Sequence, residues 1–324
     1  MSYYPPAPKI IPEKICRTLD QGNQIIILIK DCYISIMEIL MSYVNLGEMV
    51  RAAKKGGYAV GAFNIVDFVT ARAVIQAAVA KKSPVILQTS AKTVKFYGAE
   101  PLCACIIAMS KKASVPVALH LDHCKDINLI RECMDAGWSS VMYDGSELPF
   151  EENLKNTIEV AKEAHARGVT VEGELGAILG VEEDKAVSED KARLADPEQS
   201  VEFVEKTHVD VFAPAIGTAH GIYKGEPKIA FDLLAKIAKS VDAAVAIHGG
   251  TGLSDEVFRK CISLGGAKVN ISTQIKHHFR DGLEAFYKAN PKEYEPLKAL
   301  DAVLRKTEPD IGQFIEKFGC AGKA

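Results

Sequence analysis

An eightfold alternation constrains this chain more than any other feature. From residue 58 onward, short apolar runs are followed by longer segments of helical period. The runs fall at 58–64, 84–89, 117–121, 139–144, 170–175, 209–213, 244–248 and 267–271. The helical segments fall at about 67–81, 99–113, 126–136, 149–167, 197–207, 229–240, 254–264 and 273–289. Runs such as Val85-Ile86-Leu87 are dense rather than alternating, which suits parallel strands covered on both faces. Asp196 ahead of Pro197, and Ser254 ahead of Asp255-Glu256, are helix-start signals. Eight such units match the size and order of an α/β chain folded as a (β/α)8 TIM barrel. An open doubly wound sheet is the alternative, but no G-x-G-x-x-G follows the first run.

Polar residues fall where the strands end, the face on which barrel enzymes place their chemistry. The third run ends in Leu119-His120-Leu121-Asp122-His123-Cys124 and the fifth in Glu172-Gly173-Glu174-Leu175. Gly217-Thr218-Ala219-His220-Gly221 follows the sixth, and the seventh ends in His248-Gly249-Gly250-Thr251-Gly252. His123, His220 and His248 therefore come from three different strand ends, which a closed barrel gathers around one axis. Three neutral imidazoles on Zn2+ leave one coordination position open, the arrangement of a catalytic site. A single histidine is more often packed or solvated, so the inference rests on the three together. His165, His208, His277 and His278 read as surface residues. His120 alternates with Asp122 and reads either as a donor behind the site or as a buried structural residue.

Gly249-Gly250-Thr251-Gly252 precedes the seventh helical segment, and Ser272-Thr273 opens the eighth. Glycines let backbone N–H groups approach an anion, and helix N-termini add positive partial charge. Gly221 and Lys224 are placed to complete such a phosphate cradle, although G-G-T-G alone also reads as a tight turn. The stretch 177–196 reads as a long acidic loop. Its acids are either a solvated charge run or the source of a mobile base over the site.

Composition narrows the field. A formal charge of -3 and the lack of a basic stripe give no support to nucleic-acid binding. No stretch reaches the ~18 consecutive apolar residues of a membrane helix. Eight cysteines without a C-x-x-C pair fit a reduced, cytoplasmic setting rather than a disulfide framework, and Cys124 alone adjoins the site. Residues 1–40 read differently from 41–324, the single catalytic domain. The codons of Met37-Glu38 can carry a ribosome-binding sequence just ahead of Met41. Translation is therefore expected to start naturally at Met41, with 1–40 an upstream read-in; a native peptide spanning 30–50 in mass spectrometry would refute this. The alternative is a genuine extension that packs as an extra helix or hairpin.

With these residues in place, the chain resembles the class II, zinc-dependent fructose-bisphosphate and tagatose-bisphosphate aldolases from 41 to the C-terminal region. The motifs are L-D-H-C at 121–124, E-L-G at 174–176, G-T-A-H-G at 217–221, H-G-G-T-G at 248–252 and V-N-I-S-T at 269–273. The resemblance implies reversible aldol cleavage of a ketose 1,6-bisphosphate to dihydroxyacetone phosphate and glyceraldehyde 3-phosphate, the chemistry of a carbon–carbon lyase. It implies that His123, His220 and His248 hold one catalytic zinc ion, with Glu174 near the metal. It makes Asp122 the acid that exchanges a proton with the oxygen on C4, and Glu182 or Glu183 the loop base that acts at C3. Gly221, Lys224, Gly249, Thr251, Asn270, Ser272 and Thr273 match phosphate- and triose-binding positions, and Lys276 matches a basic residue for the far phosphate. Relatives are usually dimers or tetramers, which implies a homodimer or homotetramer; help from a monovalent cation stays open.

The chain also departs from the family pattern. Fructose-specific members commonly carry aspartate where Ser272 stands, and Ser272 is closer to the small residue of tagatose-type enzymes. The segment Gln88-Thr89-Ser90-Ala91-Lys92-Thr93-Val94-Lys95-Phe96 has extra lysines and no S-E-G. Both positions bear on the distal half of the sugar, so fructose versus tagatose stays open. Rival readings are a non-catalytic aldolase partner subunit, which retention of Asp122 and the histidines opposes, and a zinc hydrolase on the same barrel, which does not need two phosphate cradles.

Overall fold

A computed structural model describes residues 42–182, 185–188, 192–223 and 225–324, without the side chains of 181, 182 and 185–187. The N-terminal extension at 1–40 lies outside the described residues, as do Glu183 and Lys224, while Glu182 is described by its backbone alone.

Eight parallel strands close into a barrel: β1 (Val60–Asn64), β2 (Val85–Ser90), β3 (Val117–Cys124), β4 (Ser140–Tyr143), β5 (Thr170–Leu175), β8 (Val211–Pro214), β10 (Ala244–Ile247) and β11 (Gly266–Ile271). Each strand pairs with its neighbours in order, and β11 returns to β1 through Val60 opposite Lys268. Every residue of all eight strands is buried, which explains why the runs are dense. The helices between them are α2 (Phe68–Lys81), α3 (Ala91–Tyr97), α4 (Ala99–Ser110), α5 (Ile127–Ala136), α6 (Phe150–His165), α7 (Pro197–Thr207), α8 (Phe231–Ser240), α9 (Asp255–Ser263) and α10 (Thr273–Ala289).

Local chemistry sets several of these boundaries. Asp196 accepts from the N–H groups of Glu198 and Gln199, with Pro197 opening α7, and Ser254 accepts from Val257 to start α9. Asp67 forms a reciprocal capping box with Thr70 at α2. Helix α1 (Leu46–Gly56) lies against strand starts. Gly47 N–H donates to Thr170 at the start of β5, and Lys54 donates to three carbonyls just ahead of β10. Helix α1 thus covers the N-terminal end of the barrel, opposite the end that carries the polar residues. Helix α11 (Pro296–Lys317), which the strand–helix alternation did not predict, sets Phe314 against Phe63 and Phe258, with Phe318 beside both Phe314 and Phe258.

Two expectations need correction. The stretch 177–196 is not a plain loop: β6 (Leu179–Glu182) and β7 (Lys185–Val187) pair antiparallel within it, and β6 also pairs with β9 (Ala219–His220). These strands are too short, and Gly180 interrupts them too early, to show a clear period of two. His278 is packed rather than exposed, at 8% accessibility, because Gln274 and Asp310 enclose it where α10 meets α11.

Candidate active site

The site lies at the C-terminal rim of the barrel. Inward-facing positions there recur every second residue, as strand geometry dictates: His120 and Asp122 on β3, Glu172 and Glu174 on β5, Lys268 and Asn270 on β11. All six are buried.

His123 follows Asp122 directly, so a regular strand would turn the two side chains to opposite faces. Instead His123 adopts φ 46°, in the left-handed region, and the β3–β4 register shifts between Leu121 and Cys124. Such strain persists only where surrounding contacts enforce it. Here the His123 Nδ1 lies 2.8 Å from Asp144 Oδ2, and Asp144 Oδ1 accepts from the Ser146 N–H and hydroxyl. The kink lets consecutive residues serve one site.

His220 arrives on β9 and His248 just past β10. The three ring centroids lie 5.0 Å (123–220), 4.7 Å (123–248) and 6.2 Å (220–248) apart. Ligand atoms from the three rings all lie within 4.8 Å of one another, and so do atoms from His123, Asp144 and Glu174. Two nitrogens on one tetrahedral zinc ion stand about 3.4 Å apart, so small ring movements suffice to share an ion. The His248 Nε2 lies 2.7 Å from Glu172 Oε1, and its Nδ1 lies 3.2 Å from Glu174 Oε2. Carboxylates behind imidazoles fix ring orientation and raise basicity at metal sites.

The electrostatics point the same way. Burial works against a charged His123, but the carboxylates of Asp122, Asp144 and Glu174 outweigh it and push its pKa up to about 10. Burial likewise opposes a charged His248, and its bonds to Glu172 and Glu174 raise it. The carboxylates thus favour positive charge where the rings converge, a charge that a divalent cation would supply. Below them His120 is held well under the usual histidine range, first by burial and then by the Lys268 charge. It contacts Ser140 at 2.8 Å and Glu172 at 3.4 Å, so it is both buried and a partner of the carboxylate behind His248.

Asp122 is 1% exposed. It accepts from Asn64 Nδ2 at 2.8 Å on one oxygen and from Asn270 Nδ2 at 3.3 Å on the other. Gln88 in turn donates to Asn64 at 2.9 Å. Sequence reasoning missed Asn64, Gln88, Asp144, Glu172 and Lys268 as parts of the site. Glu172 and Lys268 were detectable: charges inside strands buried on both faces need each other or another partner.

Gly221, Gly249 and Gly252 of the cradle have positive φ, the region that favours glycine. Gly249 has φ 67°, and a Cβ there would overlap the Ala219 carbonyl oxygen. Tyr223 ties the two loops together, accepting from the Ala219 N–H and donating to the Gly249 carbonyl oxygen. Gly221, Gly249, Thr251, Asn270 and Ser272 all lie in the two loops and the β11 end beside His220 and His248. Ser272 opens α10 without capping it through its side chain, and its buried hydroxyl has no hydrogen-bond partner. Thr273 is the first residue of that helix and Lys276 lies in its first turn, where N–H groups attract anions. Cys124 is buried, and burial pushes its thiol up to about 11, so it is protonated at neutral pH.

The closed parallel barrel is of TIM-barrel type, and its C-terminal rim gathers imidazoles and carboxylates that could hold a metal ion, a donor set open to a lyase or a hydrolase. Comparison with known proteins decides between them: residues 44–323 match the model of the class-II fructose-bisphosphate aldolases, and the chain belongs to that family. The chain is therefore an aldolase. A sulfofructosephosphate aldolase from Alkalicoccus urumqiensis is 39% identical over 284 residues, which cover 88% of this chain and 99% of that protein. A probable fructose-bisphosphate aldolase of Bacillus subtilis (strain 168) is 38% identical, over 88% of this chain and all (100%) of that protein. The crystal structure of the YdjI aldolase from Escherichia coli K12 superposes with a TM-score of 0.77 at 31% identity, covering 87% of this chain and 99% of that one.

Proposed function

We propose that the chain is a zinc-dependent aldolase that cleaves a ketose bisphosphate into dihydroxyacetone phosphate and glyceraldehyde 3-phosphate. The observation that carries the reading is the convergence of His123, His220 and His248 beside the buried, doubly hydrogen-bonded Asp122. Three imidazoles, with Asp144 behind His123 and Glu172 behind His248, suit zinc and leave a position for substrate oxygens. A zinc ion held there supplies Lewis-acid polarisation of the substrate carbonyl and its neighbouring hydroxyl.

The remaining work falls to side chains. Asp122 takes the proton of the C4 hydroxyl as the C3–C4 bond breaks, and returns one in the reverse direction. Glu182 or Glu183 delivers the proton to C3. The amides around Gly221, Gly249 and Thr251, with Lys224 and the start of α10 at Ser272 and Thr273, hold the phosphate of the triose. Lys276 takes the far phosphate, and Asn270 orients Asp122. No Schiff-base lysine is required: Lys268, the buried lysine at the site, is occupied by Glu172 and Asn270.

The aldolase relatives differ in substrate, from fructose bisphosphate to sulfofructose phosphate and 6-phospho-5-dehydro-2-deoxy-D-gluconate. Ser272 in place of the aspartate of fructose-type enzymes favours a tagatose-type configuration. Among the described residues no helix is long and apolar enough to cross a membrane, compatible with action on small cytoplasmic sugar phosphates. A panel of fructose, tagatose and related ketose bisphosphates, assayed with and without EDTA, tests the reading. Chelator-sensitive release of dihydroxyacetone phosphate from at least one is expected; cleavage that survives complete metal removal contradicts it.

A further inference from the structure

Lys268 is the only fully buried lysine or arginine among the described residues. It sits mid-strand in β11, where an apolar residue of similar volume would satisfy barrel packing at less desolvation cost. Its ammonium reaches Glu172 Oε2 at 2.9 Å and Oε1 at 3.2 Å, and donates to Asn270 Oδ1 at 2.7 Å. Both partners continue toward the site. Glu172 engages His248 Nε2 at 2.7 Å, and Asn270 Nδ2 donates to Asp122 Oδ1 at 3.3 Å.

The orientation of the Asn270 amide follows from these neighbours. An ammonium only donates and a carboxylate only accepts, so the amide oxygen must face Lys268 and the amide nitrogen must face Asp122. Without the ammonium, the amide oxygen loses its donor, and the Asn270 side chain is held only by its long 3.3 Å bond to Asp122. The same ammonium holds Glu172 with one oxygen directed at His248, which fixes the ring nitrogen that His248 offers to a metal. One side chain therefore sets the geometry of two groups that must act together.

We propose that Lys268 is a positioning residue that couples the metal ligand His248 to the proton-transfer carboxylate Asp122, through Glu172 on one side and Asn270 on the other. The proposal rests on the aldolase reading above and extends it to the barrel interior.

Co2+ binding by chelator competition, the visible absorption of bound cobalt, and kcat and KM at saturating metal test it in Lys268→Met. Loss of a partner behind a ligand typically costs about 10- to 100-fold in metal affinity. Misaligning a catalytic group costs up to about 100-fold in rate. The variant is expected to bind Co2+ at least about tenfold more weakly, with an altered spectrum. Its kcat should fall at least about tenfold, while KM moves by less than about threefold. Unchanged metal affinity, or unchanged kcat at saturating metal, overturns the proposal.

If Lys268→Met fails to fold because Glu172 is left unpaired, Lys268→Met/Glu172→Gln removes both charges and keeps an acceptor for His248. That double variant should bind Co2+ and remain slow, because Asn270 is still unanchored; a wild-type kcat in it also overturns the proposal. Wild-type protein that binds no Co2+, or cleaves no ketose bisphosphate, would refute the proposed metal-dependent ketose-bisphosphate activity itself, so the two failures are separable.

Discussion

In the proposed mechanism, Asp122 concentrates the chemistry at the scale of single residues. Asn64 and Asn270 each donate to one of its two oxygens, which fixes the orientation of the carboxylate. Asp122→Ala removes the proton acceptor but none of the imidazoles. Cleavage should slow by about 100- to 10,000-fold while bound metal per chain stays unchanged; metal analysis beside steady-state kinetics checks both halves. His123 gives a pH prediction. Its pKa of about 10 means that the metal-free ring carries a proton at neutral pH, which a divalent cation must displace. Release of that proton alone makes affinity rise about tenfold per pH unit from pH 6.5 toward 10, and the raised His248 steepens the rise at the lower end. Calorimetric titration with Co2+ at pH 6.5, 7.5 and 8.5 measures the slope, and a flat or falling affinity contradicts the assignment. That His123, Asp122 and His248 stand at strand ends was legible in the sequence because polar groups abruptly end apolar runs. The kink at His123 was not, since the left-handed φ is enforced by Asp144 from the next strand.

At the scale of elements, the eight strands and the helices between them were legible because burial on both faces demands unbroken apolar runs. The β6–β7 hairpin was not: its pairing depends on β9, about 40 residues away, rather than on its own pattern. Helix α11 was missed for a different reason. It follows the eighth unit, and its apolar stripe is explained by the surfaces it covers: chiefly α2 and α10, with Phe314 reaching Phe63 of β1 and Phe258 of α9. Gly180 shows how the hairpin bears on the site. It has φ 109°, and a Cβ there would overlap the backbone oxygen of His220. Gly180→Ala must therefore push β6 away from β9, at a cost of roughly 1–3 kcal/mol in strain. The expected result is a lower melting temperature and weaker metal binding in one variant, read by calorimetry and chelator competition. Wild-type values for both would separate the hairpin from the placement of His220.

On the scale of the whole molecule, the barrel divides its labour between two ends. Helix α1 covers the strand starts, while the rim at the strand ends collects imidazoles, carboxylates and glycine-rich turns. Closure is what makes residues from β3, β9 and β10 neighbours, and it converts three distant sequence positions into one donor set. The central claim is that His123, His220 and His248 share one divalent ion on which cleavage depends. X-ray absorption at the zinc edge, on protein reconstituted with one equivalent of zinc, tests it most directly. The prediction is three imidazole nitrogens at about 2.0–2.1 Å with oxygen completing the shell, and loss of an imidazole from that shell in His220→Ala. Sulfur scattering, or a spectrum that His220→Ala leaves unchanged, would contradict the account.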